Sequence, residues 1–69
     1  MKFEEAFAEA KNGKAMRLRK WKQDVAVMVQ WPDEGSANTA PYLYVESRFG
    51  RVPWTPTQIE LFAADWEIK

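Results

Sequence analysis

A short helix is predicted close to the C-terminus, and it limits the folds open to this chain. Thr55 suits the N-cap, Pro56 suits the first helical position, and Gln58 is placed to reach back to the Thr55 amide. Three apolar residues follow at helical spacing, namely Ile59, Phe62 and Ala63. We therefore expect this face of the helix to pack inward.

The hydrophobic period changes from 3.6 to 2 after Ala64, which predicts a final half-buried strand. In this strand Trp66 and Ile68 alternate with charged residues. Asp65, beside Trp66, has two interpretations: a desolvated acid, or a buried aspartate that accepts backbone N–H bonds. We favour the second interpretation.

The size of the chain, 69 residues, allows one domain covering 1–69, and such a domain is only marginally stable alone. The sequence has no cysteine and no histidine, which removes disulfides, thiolate metal sites and the commonest metal ligand and general base. Hydrophobic residues make up 46% of the chain and include four tryptophans. We therefore expect part of the apolar surface to lie between subunits of a homo-oligomer.

Charge and hydropathy argue against two classes of partner. Ten basic and ten acidic side chains balance to zero, so long-range attraction to nucleic acid or to an anionic membrane is not expected. No apolar run approaches the roughly 18 residues of a membrane span. The acidic N-terminus does not resemble a signal peptide, and the lack of cysteine fits a cytosolic protein.

The order of elements predicts a small α+β fold: an antiparallel sheet of about four strands, an N-terminal helix and the short helix before the last strand. The first helix is predicted from apolar residues at i, i+3, i+4 and i+7, with Gly13 as its stop. Strands are predicted around 14–21, 25–31 and 42–46. A turn with Gly50 follows at 47–51. Residues 32–41 form a loop, which is either a mobile flap or a variable connection.

Period-two alternation assigns side chains to faces of these strands. It places Arg17, Arg19 and Trp21 on one side and Met16 and Leu18 on the other. Two guanidinium groups beside an indole suit a ligand with phosphate and a base. From spacing alone, we favour an exposed strand face on which the indole covers arginine stems.

Catalytic machinery is not recognisable in the sequence, so we predict no enzyme, cofactor or metal site. Ser36 and Ser47 lie outside nucleophile-elbow settings, the carboxylates are scattered, and no glycine-rich phosphate loop is present. Binding residues are plentiful: Arg17, Arg19, Lys20 and Arg51 supply charge, and Trp21, Tyr44 and Trp54 supply flat faces. These side chains suit either a phosphate-bearing purine ligand in a pocket or a protein-binding patch.

Both ends of the chain resemble the phage anti-Thoeris family of small "sponge" proteins (Thoeris anti-defence 2-like). The N-terminal match runs from Phe3-Glu4-Glu5-Ala6-Phe7 through Lys11-x-Gly13-Lys14 to Trp21. The C-terminal match is Gly50-x-x-Pro53-Trp54-x-x-Thr57-Gln58-x-x-Leu61-x-Ala63-x-Asp65-Trp66-Glu67. The chain departs from the family at Leu18 and Lys20, where members carry arginine and glycine.

This resemblance implies a non-enzymatic protein that sequesters a cyclic ADP-ribose-type signal of Thoeris defence, or a cyclic oligonucleotide of CBASS-type immunity. It also implies a homotetramer, a dimer of dimers, with the ligand between subunits, acting in the cytoplasm of the infected bacterial host. By matching position, Trp21 is the first ligand-binding candidate, followed by Trp54 and Gln58. The residue types add Arg19, Arg17, Tyr44 and Asp65 to the expected site.

Two alternatives follow from the same side chains. The first is a protein-interaction inhibitor of a bacterial immune protein, of which an anti-CRISPR is one form. The second is a single-strand nucleic-acid binder, which zero net charge disfavours.

Overall fold

The sheet of this protein has five antiparallel strands in the order β4-β3-β2-β1-β5. The computed structural model describes residues 1–33, 35 and 39–69. Its elements are α1 (Phe3–Lys11), β1 (Met16–Leu18), β2 (Ala26–Gln30), β3 (Tyr42–Ser47), β4 (Gly50–Pro53), α2 (Gln58–Phe62) and β5 (Trp66–Ile68). The predicted α+β class and element order are confirmed, with β2 as the central strand.

Helix α1 forms where the apolar spacing predicts it. Phe3, Ala6 and Ala10 are buried against the sheet, and the Glu5 carboxylate accepts the Lys2 N–H at 2.9 Å. Gly13, which follows the helix, has a φ of 95°, a value that favours glycine. Helix α1 therefore covers one side of the sheet, which we call the near face.

Strand register assigns every strand residue to a face. Met16 lies opposite Val27, and Val27 lies opposite Val45, so these side chains share the near face. The buried core consists of Phe3, Ala6, Ala10, Met16, Leu18, Val27 and Trp66. The other side, which we call the far face, carries Arg17, Met28, Tyr44, Glu46, Arg51 and Glu67.

Residues 54–65 cross the sheet, because β4 and β5 lie at its opposite edges. Three side chains of this crossing segment pack against the core of the near face, namely Trp54, Leu61 and Ala63. The Trp66 indole Nε1 donates to the Glu60 carbonyl at 2.9 Å, so α2 lies over Trp66. Both helices therefore cover the near face.

The predicted start of α2 is wrong, and of the three residues predicted to pack inward only Ala63 contacts the core. Thr57, not Thr55, is the N-cap: its hydroxyl accepts the Glu60 N–H at 3.2 Å, and Glu60 accepts the Thr57 N–H at 2.7 Å. Two residues predicted to pack inward are exposed, Ile59 at 75% and Phe62 at 84%. Because α2 has only five residues, the path of the crossing segment determines which side of the helix faces the core.

The turn predicted at 47–51 is shorter in the structure, because β3 runs to Ser47 and β4 begins at Gly50. Gly50, at the end of the β3–β4 turn, has a φ of 115°, as expected for a position that needs glycine. Residues 32–41 contain no helix or strand among those that the structure describes, while residues 34 and 36–38 lie outside the described part.

Candidate functional site

Three tryptophans meet on the near face and form what we call the tryptophan cluster: Trp21, Trp54 and Trp66. Their ring centroids are 5.3 Å apart for Trp21 and Trp66, 6.1 Å for Trp21 and Trp54, and 6.2 Å for Trp54 and Trp66. All three pairs have the edge-to-face geometry that aromatic quadrupoles favour. Trp66 is fully buried, while Trp21 and Trp54 are half-buried and reach the surface.

The position of Trp21 differs from the prediction. The period-two pattern placed it beside Arg17 and Arg19, on a strand that continued to residue 21. In the structure β1 ends at Leu18, and a turn bonds the Trp21 N–H to the Leu18 carbonyl at 3.0 Å. This turn brings the indole to the near face, so the predicted grouping of Trp21 with both arginines is wrong.

Arg17 and Arg19 lie on the far face and share one carboxylate. Arg17 Nη1 donates to Glu67 Oε2 at 2.7 Å, and Arg19 Nε lies 3.3 Å from Glu67 Oε1. The side chain of Arg17 is only 4% exposed, and Arg17 Nη2 also donates to the carbonyls of Trp21 and Lys22. Arg19, in contrast, is exposed and holds its guanidinium at the surface.

Tyr44 lies on the far face in a shallow cavity of about 220 Å³. The guanidinium carbon of Arg51 is 5.5 Å from the centre of the Tyr44 ring, and Arg51 Nε is 2.7 Å from Glu46 Oε2. Gln30, Tyr42, Val52 and Pro53 complete the cavity lining. The cavity thus offers an aromatic face, a cation and an amide within one concave surface.

Gln58 and Asp65 lie at the two ends of the α2 segment. Gln58 is exposed at the first position of the helix, whereas Asp65 is half-buried just before β5. The main-chain carbonyl of Asp65 accepts the Arg19 N–H at 3.2 Å. Asp65 therefore fixes the backbone from which the Arg19 side chain extends.

The predicted site residues divide between the two faces of the sheet. The tryptophan cluster lies on the near face, while Arg17, Arg19 and Tyr44 lie on the far face. A planar ligand that touches Trp21 in one protomer is separated from Tyr44 of the same protomer by the sheet. One protomer does not present these aromatic residues to a single ligand.

Two lining residues of the far-face cavity, Tyr42 and Gln30, were not among the predicted site residues. The sequence signal for Tyr42 is period-two alternation, because Tyr42 and Tyr44 alternate with Leu43 and Val45 and therefore share one side of β3. Gln30 is identified by the strand register, because it lies directly opposite Tyr42. Sequence alone does not provide that register.

Across residues 1–33, 35 and 39–69, no three His, Cys, Asp or Glu side chains group as metal ligands. In the same part of the chain, no helix has the length and apolar character needed to cross a bilayer.

The chain folds as a small α+β domain that exposes aromatic and guanidinium side chains. A family model described as a Thoeris anti-defense 2-like domain (Tad2-like) matches residues 1–69. The chain belongs to this family, whose description indicates a role against Thoeris defence. A search of curated proteins found no match.

Proposed function

We propose that this protein counters bacterial defence by binding a nucleotide immune signal and holding it without cleavage. The signal is a cyclic ADP-ribose isomer of the Thoeris type, or a cyclic oligonucleotide of the CBASS type. The observation that carries the proposal is the family match over the whole chain. The protein acts in the cytoplasm of the infected bacterial host, where such signals are made.

The exposed chemistry supports a ligand with both a base and phosphates. Trp21 and Trp54 supply indole surface for stacking on a base, which is worth about 1–3 kcal/mol per base in other nucleotide binders. Arg19, whose guanidinium is exposed on the far face, supplies the phosphate contact from a second protomer. Arg17 is buried and orients Arg19 through their shared partner Glu67.

Gln58 and Asp65 have different parts in this proposal. Gln58 is exposed at the start of α2, so its amide is available to bond the ribose or the base edge. Asp65 and Trp66 hold the wall of the site, since Trp66 is fully buried and the Asp65 carbonyl is bonded to the Arg19 N–H.

We further propose that the site is shared between protomers of a homotetramer. Tyr44 and the tryptophan cluster lie on opposite faces of one sheet, so a ligand that touches both must lie between two copies of the chain. Large apolar side chains exposed on α2, Ile59 and Phe62, supply surface for such an assembly.

The rival function, inhibition of an immune protein by direct contact, draws on the same exposed residues. Trp, Tyr and Arg dominate protein-binding hot spots, and Phe49 is 86% exposed at the tip of the β3–β4 turn. This function predicts a stable complex with a large partner and no small ligand.

A thermal-shift panel of cyclic ADP-ribose isomers and cyclic di- and trinucleotides separates the two functions. A ligand present at 1,000 times its dissociation constant adds about 4 kcal/mol to stability, which raises the melting temperature measurably. We expect one signal class to raise it. If no member of the panel does, the sponge function is rejected and a protein partner becomes the leading explanation.

A further inference from the structure

A second concave site lies at the C-terminal end of α1, away from the residues assigned to the immune signal. It is a groove of about 250 Å³ between the helix and the neighbouring ends of β2 and β3. We call it the Trp31 groove, and it is lined by Phe7, Lys11, Val29, Trp31, Pro41, Tyr42 and Leu43. Of these residues, Tyr42 also lines the far-face cavity around Tyr44, whereas Phe7, Lys11 and Trp31 line the groove alone, so variants of those three test the groove separately.

The walls of the groove are apolar and aromatic. Trp31 directly follows β2 and is 49% exposed, an unusual exposure for an indole. Phe7 also lines the groove and stacks on Phe3, with ring centroids 5.6 Å apart. Such surface favours a flat apolar ligand that would exclude water from both walls.

Among the lining residues that the structure describes, Lys11 alone carries a formal charge. It lies 4.9 Å from the centre of the Phe7 ring, a cation–π contact that keeps it at the groove wall. Among the described residues, the ion pairs of the chain leave Lys11 without a carboxylate partner. A ligand that brings one negative charge to this end of the groove would therefore be favoured.

From these three features we propose that the Trp31 groove binds a small planar aromatic monoanion, with its ring between Trp31 and Phe7 and its anionic group on Lys11. The volume of the groove limits the size of the ligand. An apolar cavity of about 150 Å³ accommodates benzene, so this groove of about 250 Å³ has room for a bicyclic ring. Its volume is below the 300–1,000 Å³ or so of pockets for drug-sized ligands, which disfavours a larger ligand.

The test is an NMR titration of the isotope-labelled protein with 1-naphthaleneacetate and, separately, with the neutral 1-naphthaleneacetamide. The two probes have the same rings and differ in charge. We expect the anion to shift the Trp31 indole N–H and the amides of Phe7 and Leu43, and to bind about fivefold more tightly than the amide. Equal affinity of the two probes would overturn the role of Lys11, and shifts that avoid Trp31 would overturn the site.

Matched variants assign the effect to the groove. Lys11→Met keeps the alkyl stem and should abolish the preference for the anion, whereas Lys22→Met, at another exposed lysine, should preserve it. Trp31→Ala should abolish binding, and Phe49→Ala, which removes an exposed aromatic ring outside the groove, should not. Equal losses in both members of either pair would contradict the proposal. Trp31→Ala should also leave binding of the immune signal intact, so failure of the groove and failure of the sponge function remain distinguishable.

Discussion

Arg17 and Glu67 lie opposite each other on β1 and β5 and form an ion pair in which the arginine is buried and the glutamate is partly exposed. Arg17 Nη1 is 2.7 Å from Glu67 Oε2, with the arginine side chain 4% exposed and the glutamate side chain 36% exposed. The same guanidinium donates to the carbonyls of Trp21 and Lys22. One buried cation thus links the last strand to the turn that places Trp21 on the near face.

Glu67→Gln should destabilise the protein by about 2 kcal/mol, because it leaves a buried guanidinium without its counter-charge. The matched control is Glu46→Gln, which removes a carboxylate at the same 2.7 Å from Arg51, an arginine whose side chain is 65% exposed. We expect that control to cost less than about 1 kcal/mol. Urea unfolding at one fixed protein concentration measures both, and equal losses would contradict the account.

Asp24 should make stability depend on pH. Its carboxylate accepts the Arg48 N–H at 3.1 Å, and this hydrogen bond lowers the pKa of Asp24 below its ordinary value of 3.8. The charged form is favoured in the folded state, so the contribution is complete above pH 3.8 and is lost as pH falls through the folded-state pKa. Wild type should exceed Asp24→Asn in urea midpoint at pH 7, with the gap narrowing in acid. A gap that is constant with pH would contradict this.

The exposed face of α2 should contribute to self-association. The double variant Ile59→Ser and Phe62→Ser removes two large side chains that are neighbours on one helix face and lie outside the core. We expect an unchanged circular dichroism spectrum and a lower assembly mass in sedimentation equilibrium. Phe49→Ser, at the distant β3–β4 turn, should keep the wild-type mass. A lower assembly mass for Phe49→Ser alone would contradict this prediction and would place the interface at the β3–β4 turn.

A site shared between protomers predicts complementation between variants. Trp21→Ala and Tyr44→Leu should each weaken signal binding by about tenfold or more, the usual effect of removing a stacking aromatic. If one pocket takes Trp21 from one chain and Tyr44 from another, mixed assemblies of the two variants should recover a fraction of wild-type sites. Calorimetry on a co-refolded mixture measures this fraction. No recovery, with both variants folded, would contradict a shared site.

Local patterns predicted the parts of the fold that local forces determine. The spacing of Phe3, Ala6 and Ala10 predicted α1, and the need for a positive φ predicted the turn at Gly50. The start of α2 was misplaced because both Thr55 and Thr57 are followed three residues later by a side chain that completes a cap, Gln58 or Glu60. Local chemistry does not choose between two caps so close together.

The candidate site depended on information that the sequence does not carry locally. Period-two alternation places Trp21 on the same face as Arg17 only if β1 continues to residue 21. The strand instead ends at Leu18, and the turn that follows places Trp21 on the opposite face. Burial of Arg17 results from carbonyls of the following loop folding over its guanidinium. Trp54 joins Trp21 because the chain crosses from one sheet edge to the other, which is a property of topology.

The most direct test of the sponge function is recovery of the signal after binding. The purified protein is mixed with the signal that raises its melting temperature, separated from free ligand by filtration, and then heated to release what it holds. The account predicts release of the unmodified signal in a fixed ratio to protein, with a Trp21→Ala sample retaining much less. A converted product, or no retained signal, would contradict it.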